Sequence, residues 1–179
     1  MPAERVFSLY WLGYLLTGDP ERSAQGVLET LEITDAANPF FESWMITWAR
    51  KIFISKVLGP VGPRASASEL RRRLHRLQAE TGNAFIETID GAAGKGELEW
   101  ALLEIETFPR RALLLSVFEK LAIEDIVILL NADRESVKAA TAIGLIELAR
   151  NMAGERISKP ARQVRGMHPR SACQLPAAG

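Results

Sequence analysis

The side chains that could do covalent chemistry are few and badly spaced. Glu104 and Glu106 are neighbours only in sequence, because residues two apart on a helix point to different sides. They do not make a general acid and base. His75 stands in an arginine-rich stretch and His168 near the C-terminal end. Neither has a nucleophile and an orienting acid at a useful spacing. Cys173 is the single cysteine, which excludes a disulfide framework and a cysteine-based zinc site. It falls in a tail expected to be disordered, so a catalytic thiol is not expected there. Gly94-Lys95 has no Ser or Thr after it and no strand before it, and is not read as a phosphate loop. The chain is therefore expected to be no enzyme and to use no metal and no cofactor. What remains is binding chemistry, carried by charged and apolar side chains on helices.

Those helices are legible from periodicity and punctuation. Val6 to Thr17 is mostly apolar and stops at Thr17-Gly18-Asp19-Pro20, where Gly suits a left-handed helix end and Asp and Pro suit the next start. A second helix is expected over about Glu21–Glu32, with Ala24, Val27, Leu28 and Leu31 as its apolar set. Thr34–Pro39 reads as a loop. A third helix, about Phe40–Leu58, is rich in aromatics. It places Trp44, Trp48, Ile52 and Lys56 on one line, with Met45, Ala49, Phe53 and Val57 beside them. Gly59-Pro60-Val61-Gly62-Pro63 ends it. A short helix carrying Arg71, Arg72, Arg73 and Arg76 follows, then a glycine-rich stretch over Gly82–Gly96. Further helical segments begin near Glu97, Pro109 and Glu124, and a last helix runs from about Arg134 to Met152, ended by Gly154. No strand and no internal repeat is read.

The fold class expected is all-α, with two small helical domains joined by a flexible linker and the second built as a helix-turn-helix bundle. The boundaries are a helical unit over 1–58, a linker over 59–96 with Gly, Pro and Arg, a second unit over 97–153, and a disordered basic tail over 154–179. The length of 179 residues allows one ordinary domain or two small ones. With 47% hydrophobic and 25% charged residues, the composition is that of a soluble globular chain. No apolar run reaches the roughly 18 residues of a membrane span, so no membrane partner is expected. Val6–Leu16 contains Ser8, Tyr10, Trp11 and Gly13 and lacks the usual cleavage site, so it is not read as a signal peptide. A cytoplasmic location is expected. Lys plus Arg and Asp plus Glu are both 22, so no global basic excess points to nucleic acid.

Helix, three-residue turn, long capped helix is the pattern over Ile123–Met152, which is the layout of a helix-turn-helix. Phe108-Pro-Arg-Arg-Ala-Leu-Leu-Leu-Ser-Val-Phe-Glu-Lys-Leu121 resembles the segment that opens the C-terminal DNA-binding region of bacterial RNA polymerase sigma factors. Ala122-Ile-Glu-Asp-Ile-Val-Ile-Leu-Leu-Asn-Ala-Asp133 is similar to that family's first motif helix and turn, and Glu135-Ser-Val-Lys138 to the start of its recognition helix. In the N-terminal half, Tyr14-Leu-Leu-Thr-Gly-Asp-Pro20 resembles the turn between the first helices of the core-binding region. Phe41-Glu-Ser-Trp-Met-Ile-Thr-Trp-Ala-Arg-Lys51 resembles the promoter-melting segment. The resemblance covers roughly residues 5–58 and 98–152 and is to the small, extracytoplasmic-function type.

This resemblance implies a transcription initiation protein whose partners are RNA polymerase core, promoter DNA and an antagonist protein. It implies Trp44, Arg50 and Lys51 for promoter melting, and Arg134, Ser136 and Lys138 for promoter reading. Val137, with Thr141, Gly144 and Leu148, reads as the packed face of the last helix. Two departures stand beside the match. From Phe108 to Met152 there are six Lys/Arg and six Asp/Glu, so the unit is neutral where phosphate contact needs cations. The second helix reads Ser23-Ala-Gln-Gly-Val-Leu-Glu29, where the family has an acidic run facing the polymerase. A second expectation follows from them: a diverged protein-interaction module on the sigma scaffold, with Ile143, Leu145 and Ile146 in an exposed interface.

Overall fold

A computed structural model describes the backbone over residues 3–35, 42–59, 66–81 and 94–158, and side chains over 3–33, 48–59, 66–80 and 94–154. Every regular element among the described residues is a helix, without a strand, as the all-α expectation has it. Helix α1 (Ala3–Thr17) ends where Gly18 turns to φ +72° and Thr17 Oγ1 donates back to the Gly13 carbonyl at 2.7 Å. Helix α2 (Pro20–Asp35) starts on Asp19, whose Oδ1 accepts from the amides of Glu21 at 2.9 Å and Arg22 at 3.1 Å. These are the cap and the helix stop expected at this tetrapeptide. Helix α3 (Glu42–Leu58) ends at Gly59, φ +56°.

Helix α4 (Ala67–Thr81) opens on a capping box: the Glu69 amide donates to Ser66 Oγ at 3.3 Å and the Ser66 amide to Glu69 Oε2 at 2.9 Å. Helix α5 (Lys95–Leu103) and helix α6 (Thr107–Leu113) follow, and α6 widens into a π-helical segment over Leu114–Phe118. Helix α7 (Ile123–Leu130) and helix α8 (Arg134–Ser158) complete the described chain. The last helix does not stop at Gly154; it continues to Ser158, five residues into the stretch read as tail. One exposed glycine costs a helix only about 1 kcal/mol, too little to end a 25-residue element. Most of the Gly82–Gly96 stretch and the tail beyond residue 158 lie outside the described residues.

The two units expected from sequence share one core. A single cluster joins Leu9, Leu12 and Leu16 of α1, Phe53, Ile54, Val57 and Leu58 of α3, Leu102 of α5, Leu113 of α6, Ile126 and Leu130 of α7, and Val137 and Ala140 of α8. The reason is visible in α1. Its buried leucines are flanked by Val6, Tyr10 and Leu15, also packed on the cluster, so α1 is apolar around most of its girth. Such a helix has to be covered from several sides. Helices α2 and α3 cover one side; α5 and α6 cover another.

Helix α2 turns only part of its apolar set inward, Val27 and Leu31, and fills the rest of its packed face with small residues. Leu28 is 57% exposed, whereas Ser23 and Thr30 are fully buried and Val27 nearly so. The hydroxyls find carbonyls: Ser23 Oγ donates to Tyr10 and Thr30 Oγ1 to Gly26 at 2.7 Å. A Cβ on Gly26 would collide with Val57. Small residues let α2 approach α1 and α3 closely, which a stripe of leucines would prevent. On α3 the inward line is Ala49, Phe53 and Val57, while Trp48 is 36% exposed and Lys56 reaches Glu29 at 3.5 Å.

The linker also contains structure. Helix α4 lies along α8, burying Leu70 and Leu77 against Ala139 and Ile143, with Leu74, Phe108 and Ile146 packed around them.

Candidate nucleic-acid interface

The segment with the helix-turn-helix layout is built by local signals. Asn131 takes the left-handed conformation (φ 46°, ψ 49°) that ends α7, and the Ala132 amide donates to the Val127 carbonyl at 3.1 Å. Asp133 then caps α8: its Oδ1 accepts from the Ser136 amide at 2.8 Å and its Oδ2 from Ser136 Oγ at 2.6 Å. The Ser136 hydroxyl and then the Ser136 amide hold the Asp133 carboxyl below its ordinary pKa. Val137 and Gly144 face α6 and the core, as read from sequence. At Gly144 the fit is close: a Cβ there would stand 2.9 Å from the Pro109 carbonyl oxygen and 3.0 Å from Leu113 Cβ.

The residues singled out for DNA are placed as follows. Ser136 is 3% exposed and belongs to the Asp133 cap, so it offers nothing to a groove. Arg134 is paired with Glu124, and Lys138 with Glu135 at 3.2 Å. Arg50 forms a two-bond pair with Glu119, and Lys51 meets Asp125 at 3.1 Å. Glu119 as a hydrogen-bond acceptor raises the Arg50 pKa further. Trp44 lies on α3, with its side chain outside those described. Arg50 and Lys51 are thus brought beside the C-terminal half, but as partners of its acids. Across α7, the turn and the first turn of α8, Glu124, Asp125, Asp133 and Glu135 outnumber Arg134 and Lys138. Local charge therefore opposes a polyanion at the place where phosphate contacts would be needed.

The outer face of α8 is covered. At 3.6 residues per turn, Ala139, Ile143, Ile146 and Arg150 lie opposite Val137, Gly144 and Leu148. That outer side carries α4. Arg73 bridges to Glu106 and to Glu147, the latter at 2.5 Å. Arg150 reaches Glu80 at 3.2 Å, and Arg71 reaches Glu135 at 3.6 Å. Ile143 is fully buried and Ile146 partly so, which corrects their placement in an exposed interface; Leu145 is 44% exposed as expected. Between the covered face and the core, a groove of about 280 Å³ stays open, lined by Leu121, Ile123, Ile126, Val137, Thr141 and Leu145 among others.

A second feature escaped the sequence reading. Three arginines meet where helices end. Arg111 Nε donates to the Leu16 carbonyl at the end of α1, at 3.0 Å. Arg22 Nη2 donates to the Leu58 carbonyl at the end of α3, at 3.2 Å. Arg110 Nη1 donates to Leu103 at 2.7 Å and Ile105 at 3.2 Å, at the end of α5. Arg110 is 5% exposed, and its Nε has no hydrogen-bond partner among the described residues. Burial pushes both Arg110 and Arg111 below the ordinary arginine pKa, and for Arg111 the charges of Arg22 and Arg110 add to it. The adjacent Arg110-Arg111 is the only signal in the sequence, and it does not say that both point inward.

Among the described residues, no group of three His, Cys, Asp or Glu stands together to hold a metal, and no helix is long and apolar enough to cross a membrane. Compared with protein-family models, curated proteins and solved structures, the chain matches none.

Proposed function

We propose that the chain is a sigma-like transcription protein that holds RNA polymerase through protein contacts and does not read promoter DNA with α8 as α8 stands here. The observation behind this reading is the covering of α8: Leu70, Leu74 and Leu77 lie on the face that a recognition helix turns to DNA. The remaining cations at the start of α8 have carboxylate partners. The polymerase enters through the resemblance of residues 5–58 and 98–152. Competition with a known sigma factor for RNA polymerase core enzyme tests it. Saturable, competitive binding together with weak duplex-DNA binding of shallow salt dependence is the expected result. A folded chain that does not compete for core would move the search to another protein partner, on the same scaffold.

Promoter reading is the second proposal, favoured by the exposure of Arg134 and Lys138 at the first turns of α8. Exposed ion pairs are worth about 1 kcal/mol or less, so DNA phosphates can displace the acids. In this reading α4 has to leave α8 first. Lys138→Glu then weakens DNA binding and lowers its salt slope by about one unit; an unchanged slope removes Lys138 from the interface.

A further inference from the structure

We propose that Arg22, Arg110 and Arg111 form a binding site for a phosphate-type oxyanion where the ends of α1 and α3 meet α2 and α6. This does not depend on how α8 is read.

Charge bookkeeping carries the inference. Elsewhere in the fold, cations that cross between elements end on carboxylates: Arg50 on Glu119, Lys51 on Asp125, Arg73 on Glu106 and Glu147, Arg150 on Glu80. The three arginines of the junction end on backbone carbonyls, and among the described residues no carboxylate pairs with any of them. Asp19, near them in sequence, has its carboxylate on the amides of Glu21 and Arg22. A helix C-terminus carries only about half a negative charge, so three helix ends leave three guanidinium ions undercompensated. Arg111 has both other arginines acting on it. Buried cations without an anion are costly, and a guanidinium fork fits the oxygens of phosphate.

The three arginines differ in their exposure. Arg110 is buried, Arg111 is half-buried and Arg22 is exposed. Each guanidinium has five N–H donors, and the carbonyl bonds use one or two of them. Gly59 leaves room for the Arg22 guanidinium against the end of α3. A Cβ on Gly59 would collide with Arg22, and one on Gly18 would stand 3.5 Å from Arg110 Nη2.

The test titrates inorganic phosphate into the full chain, against chloride at equal ionic strength, reading melting temperature and heat of binding. Phosphate is expected to raise the melting temperature saturably, beyond chloride. Amides over residues 16–23 and 58–59 should gain protection from hydrogen exchange. Arg111→Gln keeps a donor near the Nε position for the Leu16 carbonyl, and both it and Arg22→Gln lose the charge. Each should need about tenfold more phosphate for the same effect, with little change in chloride. Arg22→Lys should restore part of the response. Phosphate acting no better than chloride, protection elsewhere only, or variants responding like the parent would overturn the site. A short single-stranded oligonucleotide that competes with phosphate supports the site and assigns the oxyanion to a nucleic-acid backbone. Competition by a phosphate monoester alone supports it and assigns a small free ligand.

Discussion

Arg50 on α3 grips Glu119, sixty-nine residues later, with Nε and with Nη2 at 2.6 Å from Oε1. The Glu119 side chain is 8% exposed and that of Arg50 37%. The pair fastens the helix resembling a promoter-melting segment to the end of the π-helical turn. A residue expected to touch DNA is therefore a structural tie in this fold. Arg50→Ala leaves a buried carboxylate without its cation, and should cost about 1–3 kcal/mol, below the fully buried range because Arg50 is partly hydrated. Urea unfolding measures it, and a double-mutant cycle with Glu119→Gln should recover most of the loss. A double variant that loses less than the sum of the two single variants would confirm the coupling; additive losses would show that the two side chains act independently.

At Gly144 two opposing effects can be weighed. Replacing a helical glycine by alanine gains about 1 kcal/mol in propensity. Here the new methyl meets the Pro109 carbonyl and Leu113, and overpacking costs about 1–3 kcal/mol. Gly144→Ala should therefore destabilise. Gly154, with none of the described residues within 4 Å of its Cβ position, should be stabilised by the same change. Thermal melts of the two variants should move in opposite directions.

Helix α4 is held by a small cluster of its own rather than by the main core. Leu70 is 2% exposed. Leu70→Ala should cost about 2–3 kcal/mol, the low end for a buried leucine. The loss should appear as faster amide exchange over residues 67–81, while the amides around Phe53 and Leu113 stay protected. Uniform loss across all helices would mean that α4 folds as one unit with the core.

The Asp133 cap predicts a pH dependence. Its pKa is depressed in the fold by the Ser136 hydroxyl and amide. A depressed carboxyl contributes stability above its unfolded pKa and loses it as pH falls through the folded value. Asp133→Asn keeps an acceptor but cannot titrate. The parent should melt higher than this variant at neutral pH, and the gap should close below about pH 4. Asp133→Ala should cost about 1 kcal/mol at neutral pH. A gap that persists into acid would remove the carboxylate as its cause.

Much of the local structure was legible because it is written in adjacent residues. Thr17-Gly18-Asp19-Pro20 spells a helix stop and a cap, and both are present. Asn131-Ala132-Asp133 spells the turn before α8. Apolar spacing identified Phe53, Val57 and Val137 as core. On α2 it held for Val27 and Leu31 but failed for Ala24 and Leu28, which face solvent while Ser23 and Thr30 face inward, because α2 approaches α1 and α3 closely through small side chains. That close approach is a property of three helices together.

The sequence by itself determined the helices, their caps and most of their inward faces, since these depend on contacts within one or two turns. Tertiary structure decided which helices share a core and where each charge ends. Apolar residues around α1 draw both halves into one cluster, since a helix apolar on most sides needs more cover than its nearest neighbours supply. The same packing lays α4 over the outer face of α8 and sets Arg50 against Glu119. It also turns Arg110 and Arg111 inward to the ends of α5 and α1. A cation's partner depends on distances across the fold, and no spacing along the chain encodes them.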